Sequence, residues 1–159
     1  MANSFLQGEY RRTLDERYRL SVPTELVEPL TQSGSECILI KELPGALSLW
    51  SAADWQQRLE QGVQLIQRKL EAGRLEGRMD DVQRLGRLLS TRHRAVQLAG
   101  RGRLVIPEGF REFLGVEPGG EVMILGAALC VELWRPAAWM RYLEERMPEF
   151  HRLFAGLSG

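Results

Sequence analysis

The chain repeats itself at a constant offset of 84 residues. Arg19-Leu20-Ser21-Val22-Pro23 returns as Arg103-Leu104-Val105-Ile106-Pro107, Leu49-Trp50 as Leu133-Trp134, and Trp55 as Trp139. Leu14, Arg17 and Leu30 meet Leu98, Arg101 and Leu114 without a gap, so all four tryptophans pair in one frame. Such repetition means one supersecondary unit used twice. Two copies point to a pseudo-two-fold body rather than an open solenoid, which needs three or more to bury its core. Each copy spans about 48 residues, near the size below which a lone domain struggles to bury enough surface. The two copies are therefore expected to share a core.

Within each copy the pattern reads strand, turn, strand, short helix, strand, strand. In the first, Glu9 to Leu14 alternates as a strand and Asp15-Glu16-Arg17-Tyr18 forms a turn. Arg19 to Val22 then alternates with Leu20 and Val22 on one face. Pro23-Thr24 ends that strand and opens a helix over Glu25 to Leu30, with Thr24 as N-cap. Glu36 to Ile40 and Ala46 to Trp50 make a strand pair around Leu43-Pro44-Gly45. In the second copy, Ala95 to Leu98 and Arg103 to Ile106 flank Ala99-Gly100-Arg101-Gly102, whose glycines suit a tight turn. Pro107 is expected to open a helix ending at Leu114, with Gly115 as C-cap. Val122 to Leu125 and Leu129 to Trp134 complete the copy.

Helices follow both copies. Ser51 is the expected N-cap of the first, and Pro136 takes the first position of its counterpart. Trp55, Leu59, Val63, Ile66 and Leu70 form an apolar stripe at helical spacing. Gly73 and Gly77 interrupt it, and Asp80 or Asp81 can start a second helix with Val82, Leu85, Leu88 and Leu89 inward. A C-terminal helix carries Trp139, Tyr142, Leu143 and Met147. The expected organisation is unit 1 over residues 7–54, a helical hairpin over 55–90, unit 2 over 91–138, and a C-terminal helix and tail over 139–159. The fold class is α+β.

Charge is neutral overall, with 21 basic and 21 acidic residues, yet unevenly spread. Residues 82–111 hold seven arginines against Glu108 alone. A neutral chain can still bind nucleic acid through one basic face. All basic residues except Lys41 and Lys69 are arginine, whose planar fork suits phosphate and guanine edges. No stretch approaches the roughly 18 consecutive apolar residues of a membrane span. Met1-Ala2-Asn3-Ser4 lacks the basic start of a secretory signal. Cys37 and Cys130 sit in apolar runs without metal-ligand spacing, which points to free buried thiols and a reducing, cytoplasmic compartment. Two histidines, His93 and His151, and no Gly-rich phosphate loop leave no nucleophile–base pair, metal cluster or cofactor site to propose. The expectation is a protein that is not an enzyme, with no small-molecule substrate and no membrane partner.

The residues Gly8-Glu9-Tyr10, Leu14 through Pro23, and Gly102-Arg103-Leu104-Val105-Ile106-Pro107 resemble the MraZ family. The resemblance extends over nearly the whole chain, including Phe5 before Gly8 and the Leu-Trp and Trp endings of both copies. It implies two tandem SpoVT/AbrB-like units in a pseudo-two-fold swapped-hairpin β-barrel. It also implies a nucleoid-associated DNA-binding transcriptional regulator of the division and cell-wall gene cluster, assembled as a ring of identical subunits. The family carries an Asp-x-x-x-Arg motif at its DNA surface. Asp15 and Arg19 match it, with Tyr18 where glycine is usual. Gly102 and Arg103 match in the second copy, with Ala99 replacing the aspartate.

The candidate DNA-binding residues are Arg11, Arg12, Asp15, Arg17, Arg19, Arg92, Arg94, Arg101 and Arg103. A two-stranded ribbon fits the major groove, where arginine can take guanine bidentately. Arg17 with Arg19, and Arg101 with Arg103, project on one face at period two. The alternatives are a solvated edge-strand face whose charges oppose aggregation, and a protein-interaction module that kept the fold and lost DNA reading, as Tyr18 and Ala99 would allow. His93, between Arg92 and Arg94, is expected either to touch phosphate or to be a plain surface residue.

Overall fold

The computed structural model describes residues 5–159; Met1–Ser4, on which the expectation about a secretory signal falls, lie outside them. Eight strands follow in chain order: β1 (Glu9–Thr13), β2 (Arg19–Ser21), β3 (Glu36–Leu43), β4 (Ala46–Ser51), β5 (His93–Gln97), β6 (Arg103–Val105), β7 (Glu121–Gly126) and β8 (Val131–Trp134). The helices are α1 (Thr24–Leu30), α2 (Ala52–Glu71), α3 (Met79–Arg92), α4 (Phe110–Leu114), α5 (Pro136–Arg146) and α6 (Phe150–Ser158). This is an α+β arrangement.

Six strands form one sheet in the order β1-β7-β8-β4-β3-β5, and β2 pairs with β6 as a separate ribbon. Every pair is antiparallel. The two copies interleave: β1 of the first pairs with β7 of the second, and β5 of the second with β3 of the first. Among the described residues the six-stranded sheet remains open, with β1 and β5 at its edges, and the expected closed barrel does not form. Those edges carry Arg11 and Arg94, charges that discourage edge-to-edge pairing.

Both faces of the sheet are covered. Cys37, Leu39, Leu47, Leu49, Val122, Ile124, Val131 and Leu133 point into a central core closed by Leu20 and Leu104 of the ribbon and by Leu26, Leu30, Phe110 and Leu114 of α1 and α4. On the opposite face, Ile38, Ile40 and Trp55 gather beneath α2, while Met123, Leu125, Trp134 and Ala138 gather beneath α5. Strands buried on both sides read as continuous apolar runs, which is the pattern of Cys37-Ile38-Leu39-Ile40.

The constant offset hides two compensating changes. Leu39 and Ile124 occupy equivalent core positions 85 residues apart, whereas Leu49 and Leu133 are 84 apart. The segment between α4 and β7 is one residue longer than that between α1 and β3. A bulge between Lys41 and Leu43 restores the count in the first copy. Consequently β5 pairs with β3 one residue out from the register that the offset predicts: His93 faces Ile40, where Glu9 faces Leu125.

Several helix boundaries differ from the sequence reading. Thr24 is the first residue of α1, and Pro23 occupies the cap position without a side-chain hydrogen bond. Pro107 does not open α4; the chain turns at Gly109, whose φ of +85° few side chains tolerate, and the helix begins at Phe110. Ser51 does occupy the cap position of α2, again without a side-chain bond. The C-terminal helix divides at Met147–Glu149, a single 3-10 turn around Pro148, which lacks the N–H a continuous helix would need. Leu85 and Leu88 of α3, expected inward, are exposed, as are Phe150, Leu153, Phe154 and Leu157 of α6.

Candidate nucleic-acid interface

The ribbon is the centre of the candidate site. Its register sets Arg19 opposite Val105, Leu20 opposite Leu104, and Ser21 opposite Arg103. Leu20 and Leu104 are buried in the core. Strand alternation therefore turns Arg19, Ser21, Arg103 and Val105 outward together. Arg19 and Arg103 lie on one diagonal of this face, about 7–8 Å apart at the backbone. Ser21 and Val105 lie on the other, and sequence reading did not single out either. Their outward placement depends on a partner strand in the other copy.

A turn precedes each strand of the ribbon. In the first, Asp15 accepts three hydrogen bonds: from the backbone N–H of Arg17 at 2.8 Å, from that of Arg19 at 2.9 Å, and from Arg19 Nε at 2.7 Å. The Arg19 backbone N–H, then its guanidinium and the Arg17 N–H, hold the Asp15 carboxyl below its ordinary range against the opposing cost of desolvation. Because Nε takes the carboxylate, both Nη groups of Arg19 remain to meet a ligand. Tyr18 adopts a left-handed φ of 58°. Its carbonyl accepts from Ile106 N at 2.9 Å, and the Arg111 guanidinium stacks 4.1 Å from its ring centroid.

The second turn keeps the backbone bonds and loses the carboxylate. Ala99 N donates to Arg103 O at 2.9 Å, as Asp15 N donates to Arg19 O at 3.1 Å. Gly102 N donates to Ala99 O, as Tyr18 N does to Asp15 O. Gly102 O accepts from Val22 N, the counterpart of the Tyr18–Ile106 bond. Without an aspartate to hold its N–H, Arg101 moves to φ 65°, and Gly102 follows at φ 75°. Arg101 and Arg103 are both exposed. A Cβ on Gly102 would lie 2.6 Å from Val22 O and from Val27 Cγ2, so this position admits glycine alone.

The remaining arginines separate. Arg12 shares the face of Tyr10, its guanidinium 5.6 Å from that ring. Arg94 shares the face of Val96 and lies 5.7 Å from the Phe110 ring. These two are on the ribbon side of the sheet. Arg11 points to the opposite side, where it pairs with Glu121 at 2.8 Å. Arg92 ends α3 and is tied to Lys41 O at 3.2 Å and to Glu42 at 3.1 Å. His93 is not a plain surface residue: its ring packs 4.4 Å from Trp55, and its Nδ1 is buried with no hydrogen-bond partner among the described residues.

Two further groups are structural. Cys37 and Cys130 are buried free thiols. Burial first, with Glu36 beside it, pushes the Cys37 thiol up to about 11, and burial with Glu132 and Glu42 pushes Cys130 up to about 12. Neither is a reactive thiolate at neutral pH. At the pseudo-two-fold axis Ser48 faces Glu132 across β4 and β8. Ser48 donates to Glu42 and accepts from Trp50 Nε1, while Trp134 Nε1 donates to Glu132 at 2.9 Å. Burial raises the Glu132 carboxyl above its ordinary range, and Glu42 adds to the rise. Among the described residues, no helix is long and apolar enough to cross a membrane.

An α+β chain of two interleaved copies, with an arginine-bearing ribbon between its turns, is the class that fold and site define. This chain is similar to proteins of the MraZ family. Residues 89–154 match the family model described as "MraZ protein, putative antitoxin-like". A protein from Syntrophomonas wolfei named "Transcriptional regulator MraZ" is 27% identical over 94% of both chains. Proteins of the same name from Heliobacterium modesticaldum and Treponema denticola are 29% and 26% identical, covering 92% and 91% of this chain and 92% of their own.

Proposed function

We propose that this protein is a sequence-specific DNA-binding transcriptional regulator that presents the β2–β6 ribbon to the major groove. One observation carries the reading: Asp15 holds Arg19 on the outer face of the ribbon with both Nη groups available. A guanidinium oriented before binding loses less entropy when it takes a guanine edge. Arg17 and Arg101 flank the ribbon as phosphate contacts, and Arg12 and Arg94 extend the same side. Arg11 and Arg92 serve ion pairs within the fold. The exchanged pairing of β1 with β7 and β5 with β3 is read as a swapped-hairpin arrangement. The relatives' shared name supports regulation of transcription, and the family resemblance supports the division and cell-wall gene cluster as target, in the cytoplasm at the nucleoid.

Assembly is part of the proposal. The exposed Leu85 and Leu88 of α3 and the exposed apolar residues of α6 exceed what one subunit covers. Head-to-tail contacts that close make a ring, which would line up several ribbons and multiply the phosphate contacts. Light scattering across the micromolar range is expected to give a multiple of the 18.1 kDa chain. A monomeric mass would overturn the ring.

The second reading, an interaction module without DNA contact, is favoured by Ala99, which leaves Arg103 without the carboxylate that Arg19 has. Salt separates the two. Binding to a duplex from the region upstream of the protein's own gene should weaken linearly in log–log with salt concentration. No retention at low salt would move the function to the module.

A further inference from the structure

The two strands of the ribbon are repeat mates, yet their outer faces are not equivalent. Positions 21 and 105 correspond at the 84-residue offset, and one is serine while the other is valine. Val105 lies directly across from Arg19, and Ser21 directly across from Arg103. Val105 is 49% exposed, an apolar β-branched side chain held in water on the ribbon face that carries Arg19 and Arg103. The only apolar feature that a base pair offers in the major groove is the thymine methyl. Cross-strand partners have their Cβ atoms about 5 Å apart. That spacing sets the valine beside the base pair next to the one Arg19 addresses. Arg19 is bent back onto its own turn by the 2.7 Å bond from Nε to Asp15, so its head does not hold the short valine away from the groove floor.

We propose that Val105 is a specificity-determining residue that contacts a thymine methyl adjacent to the guanine taken by Arg19. This inference rests on the DNA-binding reading above. The half of the ribbon formed by Arg103 and Ser21 lacks the apolar contact and takes either neighbour. A single chain thus reads an asymmetric step, and its target has a direction although the protein is built on a pseudo-two-fold axis.

The probe is a duplex recovered by the full-length protein from a random-sequence library. It is compared with the same duplex carrying deoxyuridine for every thymidine, and with a scrambled duplex. Deoxyuridine removes only the methyl. Anisotropy titrations at two salt concentrations should show the wild type weakened by the deoxyuridine substitution about three- to fivefold for each ribbon engaged, the worth of one buried methyl. Val105→Ser should lose the same factor on the thymidine duplex, be indifferent to deoxyuridine, and bind the scrambled duplex as the wild type does. Val105→Thr keeps strand propensity and one methyl, and should retain sensitivity to deoxyuridine. Ser21→Val should add a second deoxyuridine-sensitive position. Salt-dependent binding to the recovered duplex that is indifferent to deoxyuridine, or a Val105→Ser loss equal on all three duplexes, overturns this inference and leaves DNA binding standing. Absence of salt-dependent binding to any duplex overturns the DNA-binding reading and this one together.

Discussion

The turns before β2 and β6 share their backbone hydrogen bonds and almost nothing else. In the first turn a carboxylate does the fixing, so one left-handed residue suffices, and that residue carries a side chain, Tyr18. In the second turn no side chain helps, two consecutive residues enter the left-handed region, and one of them is glycine. The neighbours have changed in step. Val27 closes over Gly102, and its repeat mate Arg111 stacks on Tyr18 while donating to Ile106 O at 2.7 Å. Two routes to one turn therefore exist in a single chain: side-chain fixing with a large residue at the bend, and backbone permissiveness with the smallest. The first delivers a pre-oriented arginine; the second leaves Arg103 to be ordered by its ligand, at an entropic cost.

The comparison can be broken most sharply at Gly102. Gly102→Tyr, copying the first turn into the second, should destabilise the protein by about 2–4 kcal/mol, from backbone strain and overlap with Val22 and Val27. Adding Val27→Arg should recover part of the loss. Denaturant unfolding measures both, and an unchanged midpoint for the single variant would mean that the turns are interchangeable.

The next effect is on binding. Arg19→Ala should cost about 1–3 kcal/mol on the recovered duplex and relax its specificity. Arg103→Ala should cost less, since no carboxylate orients that side chain. Both variants should unfold at the wild-type temperature. A larger loss from Arg103→Ala would leave DNA contact intact and refute the orienting role of Asp15. Smaller again is Ala99→Asp, which supplies the missing carboxylate. It should draw Arg101 out of the left-handed region and raise affinity by less than about 1 kcal/mol, as suits an exposed pair. An affinity that falls instead would show that the second turn reads through its mobility.

The smallest effect concerns the other mated pair, Ser48 and Glu132. The Glu132 carboxyl is raised in the folded state, so the fold takes up its proton at a higher pH than the unfolded chain does. Stability should therefore increase as pH falls from neutral through the folded value toward the ordinary carboxylate range. Glu132→Gln keeps an acceptor for Trp134 Nε1 and removes the cost of a buried charge. It should stabilise the protein at neutral pH, with the gain vanishing in acid. Thermal unfolding from neutral to acidic pH checks the sign.

Much of the fold was legible because the outer strands alternate, the inner ones are short apolar runs bounded by turn residues, and each copy vouches for the other. The Asp15–Arg19 contact was legible too, since four residues around a tight turn bring the two side chains together whatever surrounds them. What escaped depends on distant partners. Nothing near Arg92 announces Glu42, fifty residues earlier, and nothing near Val105 says which way it faces until Arg19 lies across from it. The division of the C-terminal helix could have been read from Pro148. The extent of α4 could not, because Pro107 is a good first residue for a helix and only Gly109 delays it.

The bulge between Lys41 and Leu43 has a practical consequence for anyone who edits this chain. An unbroken alignment equates Cys37 with Glu121, and so equates a side chain facing the central core with one facing α5. Transplanting β7 into the place of β3 by that alignment would turn the strand inside out, since a shift of one residue exchanges the two faces of a sheet. Chimeras between the copies must be cut within the segments after α1 and α4 and again after the bulge, so that each strand travels with its own spacer.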